Sequence, residues 1–93
     1  MLSQTPINLE KVTKENLNKE ILRVGMVAEL DAVSLYEQLA AMTEDVIIKR
    51  ALMDIAKEEK THIGEFEALL LERDPEQVKE SEKGKKEVEE LTK

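Results

Sequence analysis

Glu59 and His62 stand three residues apart in the run Glu58-Glu59-Lys60-Thr61-His62, and Glu29 lies thirty residues before Glu59. On a helix the i, i+3 spacing projects both side chains from one face. Carboxylates and an imidazole sharing a face are donors for a divalent cation. Thr43 to Asp45 falls close to the midpoint between Glu29 and Glu59. A reversal there would lay two antiparallel helices side by side, with Glu29 level with Glu59. One Glu from one helix and Glu-x-x-His from its neighbour is half of the ligand set of a di-iron carboxylate bundle. The spacing therefore predicts a metal site that a second copy of the chain completes.

The elements that would position these residues are all helical. Residues 1–12 read as an extended N-terminal tail, with Pro6 and no helical periodicity. Residues 13–73 read as a helical hairpin. Thr13 is an N-cap for a helix from about Lys14 to Met42. Thr43 is the expected cap of a second helix reaching about Glu72, with Glu44 and Asp45 at the positive end of its dipole. Residues 74–93 read as a short third helix and a charged tail: Asp74-Pro75-Glu76 is a stop and a new start with Pro at N1, and Gly84 is expected to interrupt the helix after residue 83, before Lys85–Leu91.

Composition agrees. The chain has 93 residues, a net charge of −7, one Phe, one Tyr, no Trp and no Cys. Gly and Pro are scarce and good helix formers dominate, which favours an all-α fold with an aliphatic core. The acidic balance argues against a nucleic-acid partner, which needs a basic patch. Without cysteine there is no disulfide, thiolate zinc site or iron–sulfur cluster, so any metal must be held by carboxylates and the single His. No apolar run approaches the about 18 residues of a membrane span and no signal peptide is evident, so a cytoplasmic protein with no membrane partner is expected. Abundant Glu and Lys with little Asn and Gln fits a thermophilic source.

Helical wheels show where the polar residues fall. In the first helix Arg23, Ser34, Glu37 and Gln38 share one side. Leu22, Gly25, Met26, Val33, Tyr36 and Ala40 share the other, with Glu29 among them. In the second, Ile48, Leu52, Ile55, Ile63, Phe66 and Leu70 form an apolar stripe, with Glu59 at its centre and His62 within it. Three ionisable groups thus point into an apolar seam. Burying an unpaired carboxylate costs several kcal/mol, so these need partners or a cation. Ile21, Val24, Ala28, Ala32, Leu35 and Leu39 widen the first helix's apolar surface beyond what one partner helix covers. Dimerisation into a four-helix bundle would cover it, and ring-like assembly would cover the remainder.

Glu-x-x-His alone is a weak signal, because Glu is abundant here. His62 hydrogen-bonded to Glu59 or Glu29 as a buried polar pair is the plain alternative. The placement of both carboxylates in the apolar stripe, their symmetry about the turn and the presence of the chain's one His among them favour metal. An oxygen-rich set with one imidazole suits iron or manganese better than structural zinc. Tyr36, two turns from Glu29, reads first as core, with its hydroxyl within potential reach of the site. Glu58 and the charge run after Glu72 read as solvated surface.

The stretch Ala28-Glu29-Leu30-Asp31-Ala32-Val33-Ser34-Leu35-Tyr36-Glu37-Gln38, followed by Glu58-Glu59-Lys60-Thr61-His62, resembles the encapsulated ferritin-like proteins, in particular the form fused to encapsulin nanocompartment shells. The likeness covers nearly the whole chain, including Asp74-Pro75-Glu76-Gln77-Val78. It implies a two-helix protomer with a short C-terminal helix, pairing to build one di-iron ferroxidase centre and assembling into a decameric ring inside the shell. The resemblance carries iron ligation onto Glu29, Glu59 and His62, and a tyrosine near the centre onto Tyr36. Many members have an acidic residue and a tryptophan on the metal-uptake path where this chain has Ala28 and Leu35; Asp31 retains one acidic position and is the candidate secondary metal site. Val88-Glu89-Glu90-Leu91-Thr92-Lys93 lacks the apolar tag of free cargo, so a domain of a longer shell fusion is expected.

Oxidation of Fe(II) by dioxygen at such a centre, supplying iron for storage in an encapsulin compartment, is the function this reading implies. Its rivals are a non-catalytic helical assembly module with a buried Glu/His cluster, and a rubrerythrin-like di-metal protein.

Overall fold

Residues 8–93 are described in a computed structural model; residues 1–7, and with them Pro6 of the expected tail, lie outside the described residues. Residues 8–12 are not simply extended. Asn8 Oδ1 accepts from the Glu10 N–H at 3.0 Å, and a single 3-10 turn, Leu9–Lys11, follows.

Three α-helices make up the rest: α1 (Leu17–Met42), α2 (Val46–Leu71) and α3 (Pro75–Glu90). Helix α1 starts later than its periodicity suggests. Thr13 closes a turn instead of capping a helix, its Oγ1 accepting from Asn16 Nδ2 at 3.1 Å and its carbonyl from the Asn16 N–H at 3.0 Å. The expected cap of α2 also moves by two residues. Asp45, not Thr43, is the N-cap, with Oδ1 accepting from the N–H groups of Ile47 and Ile48 at 2.9 and 3.1 Å. A carboxylate that reaches two free N–H groups, and adds negative charge at the helix N-terminus, outcompetes a hydroxyl for this position. Thr43 instead ends α1, and its Oγ1 accepts from the Asp45 N–H at 3.1 Å.

Helix α3 runs unbroken over 16 residues, so Gly84 does not interrupt it. A single helical glycine costs about 1 kcal/mol. The flanking Lys and Glu are good helix formers, and pairs such as Glu82 with Lys86 lie at supportive spacing. Asp74 caps this helix through Gln77 N–H, accepted by Oδ1 at 3.0 Å, and Pro75 opens it. The result is the all-α architecture expected: an antiparallel two-helix hairpin followed by a third helix. No helix among the described residues is long and apolar enough to cross a membrane.

The hairpin arms are 26 residues each, about 39 Å at the helical rise. Their buried core is small. Ala40 and Ala56 toward the turn, and Leu22 and Leu70 toward the open end, are the buried apolar residues among those described. Met42, Val46 and Ile47 remain 79%, 66% and 70% exposed. The Cα radius of gyration is 16.6 Å, against about 12 Å for a compact chain of this length. Helix α3 accounts for much of the excess, because it meets α2 only at their corner and no Cα of it approaches within 8 Å of α1.

One polar clamp sets that corner. Asp74, only 6% exposed, accepts from Arg23 Nη2 of α1 at 3.0 Å through Oδ2, and Arg23 also pairs with Glu20. The Asp74 carboxyl is held below the ordinary aspartate range, first by the backbone hydrogen bond from Gln77 and against the opposing pull of desolvation, with Lys19 and Arg23 assisting. Asp74 therefore contributes stability that is present above the ordinary value of about 3.9 and is lost as pH falls through the lower folded value. Asp74→Asn should melt below the wild-type chain at about pH 6, followed by circular dichroism, and the gap should close in acid below the ordinary aspartate range. A gap of constant size across that range would remove the charge from the account of the corner.

Candidate metal centre

Glu29 comes from the middle of α1, and Glu59 and His62 from the middle of α2. The turn at Thr43–Asp45 fixes the antiparallel register that places them side by side. His62 Nδ1 lies 3.4 Å from Glu29 Oε2 and 3.4 Å from Glu59 Oε2. The donor atoms of the three residues all lie within 4.8 Å of one another, and they form the one cluster of this kind among the described residues. The side chains of Glu29 and Glu59 are 20% and 18% exposed, while His62 keeps 46% of its surface and marks the open side.

The hydrogen-bond accounts do not balance. A neutral imidazole Nδ1 carries either one proton or one lone pair, so it can donate to one carboxylate at most. Both of its carboxylate contacts are long beside the about 2.9 Å typical of an N–H···O bond. Glu29 Oε2 is fully buried and makes no hydrogen bond. An orphaned carboxylate oxygen of this kind requires an explanation. A cation held by one donor of each residue would supply it. With metal–ligand bonds of about 2.0–2.2 Å, neighbouring donors stand about 3.0–3.5 Å apart, which is the spacing of His62 Nδ1 from each carboxylate oxygen. Oxygen donors with one imidazole fit iron or manganese. Three donors leave such an ion short of ligands on the open side.

The remaining expected site residues are placed elsewhere. Tyr36 is half-buried on α1, and no hydrogen bond joins its hydroxyl to the trio. Asp31, also half-buried, is outside the cluster. Lys60 and Glu37 pair across the hairpin at 3.6 Å. A feature that periodicity alone did not interpret is Gly25. A Cβ there would stand 2.6 Å from Phe66 Cε1, so the ring lies against the α1 backbone one turn from Glu29. A glycine inside an apolar helical stripe is the sequence signal for such a close approach.

Comparison with known proteins converges on one group. A family model described as Rubrerythrin matches residues 10–93. A ferritin-like-encapsulin shell fusion protein of Pyrococcus furiosus is 56% identical over 95 residues, spanning 99% of this chain and 27% of that protein. This chain thus covers about a quarter of the curated relative's length. The crystal structure of an encapsulated ferritin domain from Pyrococcus furiosus aligns at a TM-score of 0.84 with 51% identity, over 99% of this chain and 96% of the other.

If the trio holds a cation, adding Mn(II) or Co(II) should raise the melting temperature of the wild-type chain progressively with metal concentration. Glu29→Leu should abolish that rise. It should also leave the metal-free protein as stable or more so, since it removes an uncompensated buried carboxylate. Loss of stability in metal-free Glu29→Leu, with no metal response in the wild type, would mark the cluster as a structural polar contact.

Proposed function

This chain belongs to the rubrerythrin family, the ferritin-like helical proteins, and on that footing we propose that it is a ferroxidase, with Fe(II) as substrate and a di-iron centre shared by two copies. The observation that carries this reading is the orphaned Glu29 Oε2 beside Glu59 and His62. One chain offers two carboxylates and one imidazole. Two copies related by a two-fold axis would offer twice that, which is the donor inventory of a di-iron carboxylate site in a four-helix bundle.

Each residue has a role in this scheme. Glu29 from α1 and His62 from α2 would hold one ferrous ion, and Glu59 would be shared with the second. Anionic oxygen donors favour ferric over ferrous iron and so lower the cost of oxidation. Two ferrous ions each give one electron; one dioxygen takes both electrons with two protons and leaves as hydrogen peroxide. Paired sites matter because dioxygen is reduced by two electrons at once. Tyr36 is proposed as a residue close to the centre that tunes the rate, and Asp31 as a secondary metal site on the path inward.

The exposed apolar surface of the hairpin supports pairing and further assembly. We propose the dimer as the smallest competent unit, and the resemblance to the encapsulated ferritin-like proteins supports a decameric ring as the assembled form. The relative's fusion to an encapsulin shell supports the proposal that this domain works inside such a compartment and hands oxidised iron to it. The absence of cysteine from the chain disfavours a rubrerythrin-like peroxidase with a thiolate electron-delivery centre in the same segment.

Ferroxidase activity, followed as ferric absorbance, should fall by about 100-fold or more in Glu59→Ala and His62→Ala, with helical content retained. Tyr36→Phe should keep metal binding and change the rate only moderately. Wild-type rates in His62→Ala would overturn the assignment.

Light scattering should find dimers or their multiples. Given excess Fe(II) and oxygen, the isolated domain should turn iron over and precipitate it, and electron microscopy should show rings without mineral cores. Closed particles with dense cores would instead make this a ferritin-like storage cage.

A further inference from the structure

Gly25 and Phe66 lie beside the metal cluster, both on the side away from the hairpin turn. Gly25 is four residues before Glu29 on α1, and Phe66 is four residues after His62 on α2. Because the helices run antiparallel, both lie one turn from the cluster in the same layer of the hairpin. There the Phe66 ring lies against the α1 backbone. A Cβ built on Gly25 would stand 2.6, 2.8 and 2.9 Å from Cε1, Cζ and Cδ1 of Phe66. Real Cβ atoms do not come so near, so the ring occupies the space a side chain would need. The other two glycines, Gly64 and Gly84, have nothing within 4 Å of a Cβ. Gly25 alone is required by packing.

That contact lies one helical turn from the gap the metal donors span. Glu29 reaches the cluster from α1, and Glu59 and His62 reach it from α2. Any separation of the helices one turn away opens the 3.4 Å spacing between His62 Nδ1 and Glu29 Oε2. Metal–ligand distances in built sites fall within about 0.2 Å of their usual values. Phe66 is flat and has few rotamers, so against a bare backbone it makes a stiff spacer.

We propose that Gly25 and Phe66 are positioning residues for the metal centre, setting by their direct contact the α1–α2 separation at which Glu29, Glu59 and His62 close on one ion. The proposal rests on the metal-holding reading given above. Neither residue is one of the three donors. Their effect is on affinity and coordination geometry, and it exceeds what their contribution to folding alone would cause.

Co(II) titration of the whole chain, read as visible ligand-field absorption at a temperature well below melting, tests this. Gly25→Ala should remain helical by circular dichroism, bind Co(II) about tenfold or more weakly and show a shifted absorption band. Gly25→Ala combined with Phe66→Leu, which makes room for the added methyl, should recover most of the affinity and the band. If Gly25→Ala lowers the melting temperature yet keeps the wild-type affinity and band, the contact is merely structural and the proposal is overturned. If Gly25→Ala does not fold, Phe66→Leu alone decides: a changed band supports the spacer, and an unchanged band overturns it. Wild-type protein that binds no Co(II) fails one step earlier, in the metal centre itself, and takes the spacer with it.

Discussion

The structure turns on a carboxylate oxygen placed where water cannot serve it. Glu29 projects into the apolar seam between α1 and α2, and its Oε2 is buried without a hydrogen bond. Glu59 and His62 crowd the same point from the other helix. Hydrophobic residues in these positions would stabilise the hairpin more, since buried charges rarely repay their desolvation. Their placement together in a short chain with little core to spare is what makes a cation the economical account of the seam.

The packing is incomplete in the same way as the ligand set. Few apolar side chains are buried, and several large ones near the hairpin turn stand mostly in water. The radius of gyration exceeds that of a compact chain of this length. A two-helix hairpin has one internal seam, whereas the apolar surface of α1 is wider than that seam covers. The proposed pairing of two copies would answer both deficits at once, covering apolar surface and completing the donors. Metal binding and assembly would then be linked, each favouring the other by mass action.

Helix α3 is held by different forces. With a sequence rich in Lys and Glu it buries almost nothing, and an isolated helix of its length is marginal in water. Its start is nonetheless well determined. Asp74 satisfies Gln77 N–H at the helix terminus and Arg23 of α1 with the same carboxylate. One buried acid therefore sets the corner and ties it to the hairpin, at the end of the molecule away from the turn.

Much of this was written in local sequence. The 3.6-residue periodicity of Leu22 to Ala40 and of Ile48 to Leu70 specified two helices, and the polar run between them specified where they reverse. The same arithmetic placed Glu29 and Glu59 on inward faces, because helical spacing alone decides which side chains share a face; His62, expected with them, stays 46% exposed at the edge of the seam. Element ends were less legible. Thr43 and Asp45 are both good caps, and only the path of the chain through the turn showed that the carboxylate reaches two N–H groups while the hydroxyl reaches one. Gly84 looked like a break because its intrinsic cost is visible in sequence, whereas the favourable flanks that outweigh it act over several turns. What the tertiary structure alone decided is depth and distance: that Glu29 Oε2 is orphaned, that Asp74 meets Arg23, and that Phe66 rests on Gly25. These are contacts between residues far apart in the chain, and their lengths depend on how closely two helices approach, a quantity that no periodicity encodes.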